Sequence, residues 1–263
     1  MAQSEALPDS LPARVPDVVT ATGADATPPA GGDATMSLVD HLSELRWRLF
    51  VIIAAVGIFS LVAFTRAERL LEILKEPLGD RPLNFTGLGD GFIIQLKLAF
   101  VVGLVASMPV ILFEVWRFIS PGLTPEERRT ARPWVPVSLL FFVFGVGLAY
   151  IVLPHAAGYL LSFAIPGVLV PLISADKYFD FVSTLFLAFG IVMEFPVVLI
   201  LLSKVGIVTS ARLRRTRRYA ALAIVVFAGL VTPGGDLVSP FVLGLVLYGL
   251  YEASIVAVRL GGK

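Results

Sequence analysis

Six long apolar runs occupy most of the chain between residues 47 and 258. A helix needs roughly 20 apolar residues to cross the hydrocarbon core of a bilayer, which is about 30 Å thick. The composition agrees, because 57% of the residues are hydrophobic, 16% are charged and the mean hydropathy is +0.86. The sequence therefore predicts an all-α polytopic membrane protein with six transmembrane helices. The runs cover residues 47–64, 92–115, 134–153, 178–202, 219–232 and 237–258.

The fifth and sixth runs are shorter than the others. As a helix, residues 219–232 extend about 21 Å, which is less than the thickness of the hydrocarbon core. The sixth run meets a charge at Glu252. A short span either thins the bilayer locally or is accommodated by tilted neighbours and by the snorkelling side chains of Arg218 and Arg259. The sequence leaves both explanations open.

Lysine and arginine are distributed unevenly between the two ends of the predicted spans. Most of the 21 basic residues lie before the first run, between the second and third, between the fourth and fifth, and after the sixth. Loops rich in these residues stay on the cytoplasmic side of a membrane. Both termini are therefore predicted to be cytoplasmic, which agrees with an even number of spans.

The segments that flank the runs complete the domain organisation. Residues 1–36 are rich in Ala, Pro, Asp, Thr and Gly, a composition typical of a disordered tail, here a cytoplasmic one. The membrane domain is predicted to cover residues 37–260, and residues 261–263 form a cytoplasmic end.

Two predicted outer loops have apolar content of their own. Residues 66–75, RAERLLEILK, place three leucines on one face and predict a short helix at the membrane interface. Pro154 is expected to end the third run. Residues 155–165 are apolar but too few to span a bilayer, which predicts an interfacial or re-entrant segment.

Residue counts exclude several kinds of chemistry. The chain has no cysteine, which excludes thiol chemistry, disulfides and Cys-ligated metal. The two histidines, His41 and His155, fall on opposite sides of the predicted topology, so a His-based metal site or a Ser/His/Asp triad is not expected. The net charge of +1 gives no indication of nucleic-acid binding. We expect no cofactor.

The first candidate site residue, Glu44, precedes the first run. Residues 40–49, DHLSELRWRL, form an apolar helical stripe of leucines, and Glu44 lies off that stripe. Glu44 can pair with Arg48 at i+4, an interaction worth only about 0.2–0.5 kcal/mol. Alternatively, it presents a carboxylate to a cationic ligand at the cytoplasmic surface.

The second candidate is Glu127 in the first cytoplasmic loop. The residues TPEE predict a helix start with Thr124 as N-cap, Pro125 at the first position and Glu127 completing a capping box. Glu127 therefore has a local structural role available to it. A capping carboxylate can also accept a hydrogen bond from a ligand.

The third candidate is Glu194, which is the only charged residue between residues 181 and 203. A carboxylate at that depth costs about 2.5–3.5 kcal/mol on insertion scales, so it should face protein or a wet cavity. Pro196 follows and removes a backbone hydrogen bond, which can kink the helix. The pair is either a buried helix–helix contact or a functional polar point in an apolar wall.

Four motifs in order resemble the TatC family, the multispanning subunit of the twin-arginine protein translocase. Residues 41–49, HLSELRWRL, are similar to its HLxELRxRL signature, and FISPGL at 118–123 followed by ERR is similar to its first cytoplasmic loop. FG at 189–190 with EFPV at 194–197 matches its fourth span. TPGGD at 232–236 resembles its last outer turn, although it is one residue longer than the TPPD form. The resemblance extends from about residue 37 to residue 259.

The resemblance implies a non-enzymatic receptor in the bacterial-type cytoplasmic membrane. Such a receptor binds signal peptides with paired arginines on folded cargo proteins. It works with the single-span TatA and TatB subunits and with other TatC copies to export that cargo, driven by the proton-motive force. The fold implied has six spans, with short fifth and sixth spans and a concave, cup-like face.

The resemblance also assigns roles to residues. It implies that Glu44 and Glu127 take the two arginines of the signal peptide. It places Glu194, with Pro196, inside the concave face where partner helices or the inserted peptide dock, and Asp236 at the outer end of the last two spans. Pro77 belongs to the outer-loop cap. The residues that shape the signal-peptide patch are Arg46, Phe118, Pro121, Leu123 and Arg128.

A transporter is the alternative function. A proton-coupled small-solute transporter would use Glu194 as its proton site. That class requires paired broken helices and a second intramembrane charge, and the sequence pattern indicates neither.

Overall fold

The computed structural model describes residues 38–260, apart from Thr86, Pro166, Leu169, Val170, Val205, Pro233 and Gly234. The predicted tail at 1–36 and the predicted end at 261–263 lie outside the described residues. Part of the TPGGD turn also lies outside them.

The described residues form an all-helical fold. An isolated β-bridge joins Asn84 and Ser174. Short 3-10 turns follow two of the helices, at Glu76–Leu78 and Ser120–Gly122. The helices are α1 Leu38–Phe64, α2 Ala67–Lys75, α3 Asp90–Ile119, α4 Pro125–Ala131, α5 Trp134–Leu161, α6 Ala175–Val192, α7 Phe195–Lys204, α8 Ser210–Arg215, α9 Arg217–Val231 and α10 Val238–Leu260.

Five helical segments in the described part of the chain are long and apolar enough to cross a membrane. This confirms a polytopic all-α membrane protein. The fifth predicted run forms α9, which has only 15 residues and is shorter than a typical span. The five long segments are His41–Phe64, Asp90–Gly122, Pro125–Leu161, Ala175–Lys204 and Val238–Arg259.

The helices pack around α6, which is the most enclosed of the long segments. Helix α1 packs along α3, and α3 and α5 both contact α6. Helix α10 contacts α5, α7 and α9. Small residues allow the close approach of α5 and α6: a Cβ atom on Gly145 would lie 2.5 Å from the carbonyl oxygen of Phe189, and one on Gly190 would lie 2.6 Å from the ring of Phe142.

The fourth predicted run is interrupted, as the position of Pro196 suggested. Helix α6 ends at Val192 and α7 begins at Phe195, with Met193 and Glu194 in a turn between them. The Glu194 carbonyl then accepts a hydrogen bond from Val198 at 3.1 Å, which starts the next helix. The break therefore places Glu194 at a joint between two helices.

The expectation that Pro154 ends the third span is wrong. Helix α5 continues through Pro154 to Leu161, so much of the segment 155–165 is neither a separate interfacial element nor a re-entrant one. Proline removes one backbone hydrogen bond, but Leu153, Ala156 and Ala157 are buried in the core that α5 shares with α6. This packing maintains the helix across the proline.

Hydrogen bonds join the two predicted outer loops, which are the loop after α2 and the loop before α6. The predicted interfacial helix is present as α2. Asn84 donates its backbone N–H to Ile173 at 2.9 Å and accepts from Ala175 at 2.7 Å. The Tyr178 hydroxyl donates to the Leu74 carbonyl at 2.7 Å. These bonds tie the loop after α2 to the start of α6.

Candidate functional site

A carboxylate cluster lies where the start of α1 meets the end of α3. It consists of Glu44, Arg48 and Glu114. Arg48 donates from Nη2 to Glu44 Oε1 within α1, so the helical pair considered for Glu44 is present. The Arg48 side chain is only 9% exposed and that of Glu44 is 20% exposed. An ion pair this enclosed differs from a solvated pair on a helix surface.

Glu114 is the member of the cluster that the sequence analysis missed. Arg48 Nη1 donates to Glu114 Oε2 at 3.0 Å, and the Glu114 side chain is 10% exposed. The available signal was a single carboxylate just before the end of the apolar run 92–115. The contact separates its partners by 66 positions in sequence, so no local pattern predicts it.

The cluster has hydrogen-bonding capacity that is not used. Glu44 Oε2 and Arg48 Nε are buried and have no hydrogen-bond partner among the described residues. His41 Nδ1 lies 4.0 Å from Glu44 Oε2, too far for a hydrogen bond. The His41 ring stacks on Phe118 with centroids 4.4 Å apart. The two rings therefore stand beside an acceptor oxygen that has no donor in the described part of the chain.

Glu127 lies on the next element, α4. Its backbone N–H donates to Thr124 Oγ1 at 3.4 Å, and its Oε2 accepts from the Thr124 N–H at 3.1 Å. The predicted capping box is therefore present. Because the cap orients the carboxyl group along the first turn of α4, Glu127 has a fixed position at the start of this helix.

The remaining predicted patch residues surround these two positions in sequence. Phe118 is brought against α1 by its contact with His41. Pro121 is exposed in the 3-10 turn after α3, and Leu123 is half-buried in extended backbone. Arg46 on α1 and Arg128 on α4 are exposed. The structure thus brings Phe118 against His41, three residues before Glu44. Arg46 lies on α1, and Pro121, Leu123 and Arg128 lie on the turn and helix that follow α3.

Glu194 occupies the joint between α6 and α7. Its side chain is half-buried and lies beside Ser138 on α5, whose hydroxyl donates to the Val135 carbonyl at 2.9 Å. Glu194 Oε1 is buried and has no hydrogen-bond partner among the described residues. Pro196 is buried in the first turn of α7. Glu194 is therefore a polar group in apolar surroundings, and one of its oxygens accepts no hydrogen bond from the described residues.

Asp236 has a clear structural role at the start of α10. It is 3% exposed and accepts the backbone N–H of Ser239 at 2.6 Å, so it caps the first turn of that helix. Pro77 lies in the 3-10 turn after α2 and lines an open cleft with Pro154 of α5. Neither residue lies near the carboxylate cluster, because both are at the other end of the long helices.

The described residues contain no group of three or more His, Cys, Asp or Glu side chains arranged to hold a metal ion. The polar sites that contain the predicted binding residues are the carboxylate cluster, the Glu127 cap and the Glu194 joint. All three present carboxylates, and carboxylates bind guanidinium groups through paired, charge-assisted hydrogen bonds.

Comparison with protein families gives one extensive match. The family described as Sec-independent protein translocase protein (TatC) matches residues 40–245. The TatC protein of Carboxydothermus hydrogenoformans is 34% identical over 226 residues, which covers 85% of this chain and 93% of the relative. TatCy of Bacillus subtilis is 34% identical and covers 84% of this chain and 87% of its own length. The chloroplastic TATC protein of Arabidopsis thaliana is 38% identical, with 88% of this chain and 68% of the relative covered.

Two solved structures share the fold. A crystal structure of the twin-arginine translocase receptor TatC in DDM aligns with a TM-score of 0.73 at 37% identity, and it covers 83% of this chain and 99% of the other. A second crystal structure of that receptor aligns with the same TM-score at 36% identity, and it covers 85% of this chain and 100% of the other. The family match includes the positions Glu44, Glu114, Glu127, Glu194 and Asp236.

Proposed function

Because the chain belongs to the TatC family of Sec-independent protein translocase subunits, we propose that it is the receptor that binds signal peptides with paired arginines. It is a multi-pass membrane protein of that translocase. The solved relatives are described as twin-arginine translocase receptors, which supports the same role for this chain.

The observation that carries the proposal is the unfilled acceptor of the carboxylate cluster. Glu44 and Glu114 share one guanidinium, that of Arg48, so the three side chains have a formal charge of −1. Glu44 Oε2 has no partner among the described residues. A guanidinium presents a planar fork of donors that matches a carboxylate, and lysine offers only a point charge. The cluster therefore favours one arginine of an incoming peptide.

Glu127 is proposed to take the second arginine. Its capping bonds fix the carboxyl group at the start of α4. A charge-assisted hydrogen bond of this kind contributes about 1.5–3 kcal/mol, and less where solvent reaches it. Arg46, Phe118, Pro121, Leu123 and Arg128 form the surrounding patch. Two moderate contacts suit a ligand that is recognised and later released.

The proposed topology has six spans in the cytoplasmic membrane with both termini in the cytoplasm. Helix α9 is the short fifth span, preceded by the basic helix α8. Arginines at this end agree with a cytoplasmic location for the patch. The 15 residues of α9 cover about 22 Å, so the bilayer beside it is thinned or its ends are drawn inward.

Partners are proposed to dock at the Glu194 joint. These are the single-span TatA and TatB subunits, the inserted signal peptide and other TatC copies, and export is driven by the proton-motive force without enzymatic chemistry. The buried Glu194 Oε1 lacks a donor among the described residues, so a polar group of an incoming helix would satisfy it.

The transporter alternative has less support. Glu114 is a second buried charge, but Arg48 neutralises it in a fixed ion pair. The α6–α7 break is one interrupted helix, whereas inverted-repeat transporters use two in matching halves.

Peptide binding to the purified protein tests the proposed function. We expect the wild type to bind a peptide with Arg-Arg at least about tenfold more tightly than its Lys-Lys counterpart, equal to about 1.4 kcal/mol. Glu44→Gln should remove most of the difference in affinity between the two peptides. Glu252→Gln is a matched control, because Glu252 also forms an ion pair between helices, with Arg217 at 2.6 Å. Equal affinity of the wild type for both peptides would refute the proposed function.

A further inference from the structure

Arg48 is shared between carboxylates from two helices. Its Nη2 group pairs with Glu44, one turn earlier on α1, and its Nη1 group donates to Glu114 of α3 at 3.0 Å. Both Arg48 and Glu114 are at least nine-tenths buried by residue area. A buried arginine held by two acceptors cannot turn its whole donor fork toward either one.

This sharing leaves Glu44 incompletely satisfied. One oxygen, Oε1, accepts from Arg48, and the other, Oε2, is buried without a hydrogen-bond partner among the described residues. Besides Arg48, the structure records His41 near this carboxylate, and its Nδ1 atom lies 4.0 Å from Oε2. A buried carboxylate oxygen without a donor is unfavourable, and a second guanidinium would supply that donor.

We propose that Glu114 is a positioning residue for arginine recognition. By holding one side of the Arg48 guanidinium, Glu114 prevents Arg48 from forming a two-bond pair with Glu44. Glu44 Oε2, which the surrounding side chains cover, is thereby left for an arginine of the signal peptide that moves them aside. This inference rests on the proposed function of Glu44. It adds that α3 sets the strength of recognition through a residue that does not itself touch the peptide.

The first test is Glu114→Gln. Glutamine has nearly the same shape but no charge, so Arg48 turns to Glu44 and occupies both of its oxygens. We expect Arg-Arg peptide affinity to fall about tenfold, equal to about 1.4 kcal/mol. Glu252→Gln, which removes a carboxylate from another interhelical ion pair, should leave the affinity unchanged.

The second test is the double variant Glu114→Gln with Arg48→Gln. It removes the competing guanidinium and leaves Glu44 with its own charge. We expect the affinity for the Arg-Arg peptide to return to within about threefold of the wild type, less than 0.7 kcal/mol. If Glu114 had only a structural role, the second substitution would add damage and lower the affinity further.

Peptides with one arginine replaced provide a third readout. Because Glu44 and Glu127 are each proposed to take one of the two arginines, the wild type should discriminate against lysine at both positions. Glu114→Gln should lose that discrimination at one position and retain it at the other. A general loss of fold would reduce discrimination at both, and a melting curve in the same detergent reports the fold independently.

The outcomes separate the two proposals. If the wild type does not distinguish Arg-Arg from Lys-Lys peptides, the proposed function and this inference both fail. If the wild type distinguishes them but Glu114→Gln binds like the wild type, the positioning role alone is overturned. It is also overturned if Glu114→Gln binds weakly and the double variant does not recover.

Discussion

His41, near the start of α1, stacks its ring on Phe118, near the end of α3, with ring centroids 4.4 Å apart and planes inclined by 17°. His41 Nδ1 lies 4.0 Å from Glu44 Oε2. The stacked pair therefore closes one side of the carboxylate cluster and holds the ends of the two helices together. An arginine that reaches Glu44 meets this ring pair beside the carboxylate.

Removing the stacked ring should weaken peptide binding while leaving the fold intact. Phe118→Ala removes part of the ring pair beside Glu44, on which an arginine of the peptide can stack for about 0.5–1 kcal/mol, so the affinity for an Arg-Arg peptide should fall about two- to fivefold. Fluorescence anisotropy with a labelled peptide measures this. Phe113→Ala is the control, since Phe113 lies on the same helix and is 52% exposed. An equal loss for both variants would show that the stacking contact has no special role.

The capping box allows the two explanations of Glu127 to be separated. Glutamine also completes a capping box, so Glu127→Gln removes the charge and keeps the cap. Thr124→Ala removes the cap, which destabilises α4 by about 0.5–2 kcal/mol, and keeps the charge. We expect Glu127→Gln to reduce Arg-Arg peptide binding more than Thr124→Ala does. Amide exchange in Pro125–Ala131 should accelerate only in Thr124→Ala. The reverse order of peptide affinities would assign Glu127 to the cap alone.

The Glu194 joint is expected to act in the steps that follow signal-peptide binding. Glu194→Ala removes the polar point between α6 and α7 but lies away from the carboxylate cluster. Peptide binding at that cluster should stay within about twofold of the wild type, since distant sites act independently. Crosslinking to single-span partner subunits and cargo export should fall. Ser138→Ala, which alters the neighbour of Glu194 without removing the carboxylate, should have a smaller effect on export. Loss of peptide binding together with normal partner crosslinking would contradict this order of events.

The close approach of α5 and α6 depends on glycine. A Cβ atom on Gly145 would lie 2.5 Å from the Phe189 carbonyl oxygen, whereas one on Gly147 meets nothing within 4 Å. Gly145→Ala should therefore destabilise the fold by about 1–3 kcal/mol, because overpacked backbones must separate. Gly147→Ala should be neutral or stabilising, since alanine favours the helix by about 0.5–1 kcal/mol. Thermal unfolding in detergent compares them, and equal melting temperatures would disprove the packing explanation.

Features with local causes could be predicted from the sequence. The long apolar helices, the capping box at Thr124 and Glu127, and the break near Pro196 all follow from residues within a few positions of each other. The roles assigned to Glu44, Glu127 and Glu194 as binding residues came from the family resemblance and stay predictions.

Features with distant causes could not be predicted in the same way. Glu114 joins Arg48 across 66 positions, and a single carboxylate at the end of an apolar run does not indicate its partner. Helix α5 passes through Pro154 because contacts with α6 offset the lost hydrogen bond, and periodicity within one segment does not report such contacts. Asn84 likewise joins the two predicted outer loops through backbone hydrogen bonds to Ile173 and Ala175, which are distant in sequence.

Site-specific photocrosslinking to an Arg-Arg signal peptide tests whether the paired arginines bind at Glu44 and Glu127. Crosslinkers replace exposed neighbours of the proposed binding residues, at Leu45 beside Glu44 and at Arg129 near Glu127. Val198, one turn after Glu194, and Leu88, at the opposite end of the long helices, serve for comparison. We expect the paired arginines to crosslink to positions 45 and 129, and crosslinking to fall when both arginines are replaced by lysine. Crosslinking of the arginines at position 198 or 88, with none at 45 and 129, would contradict it.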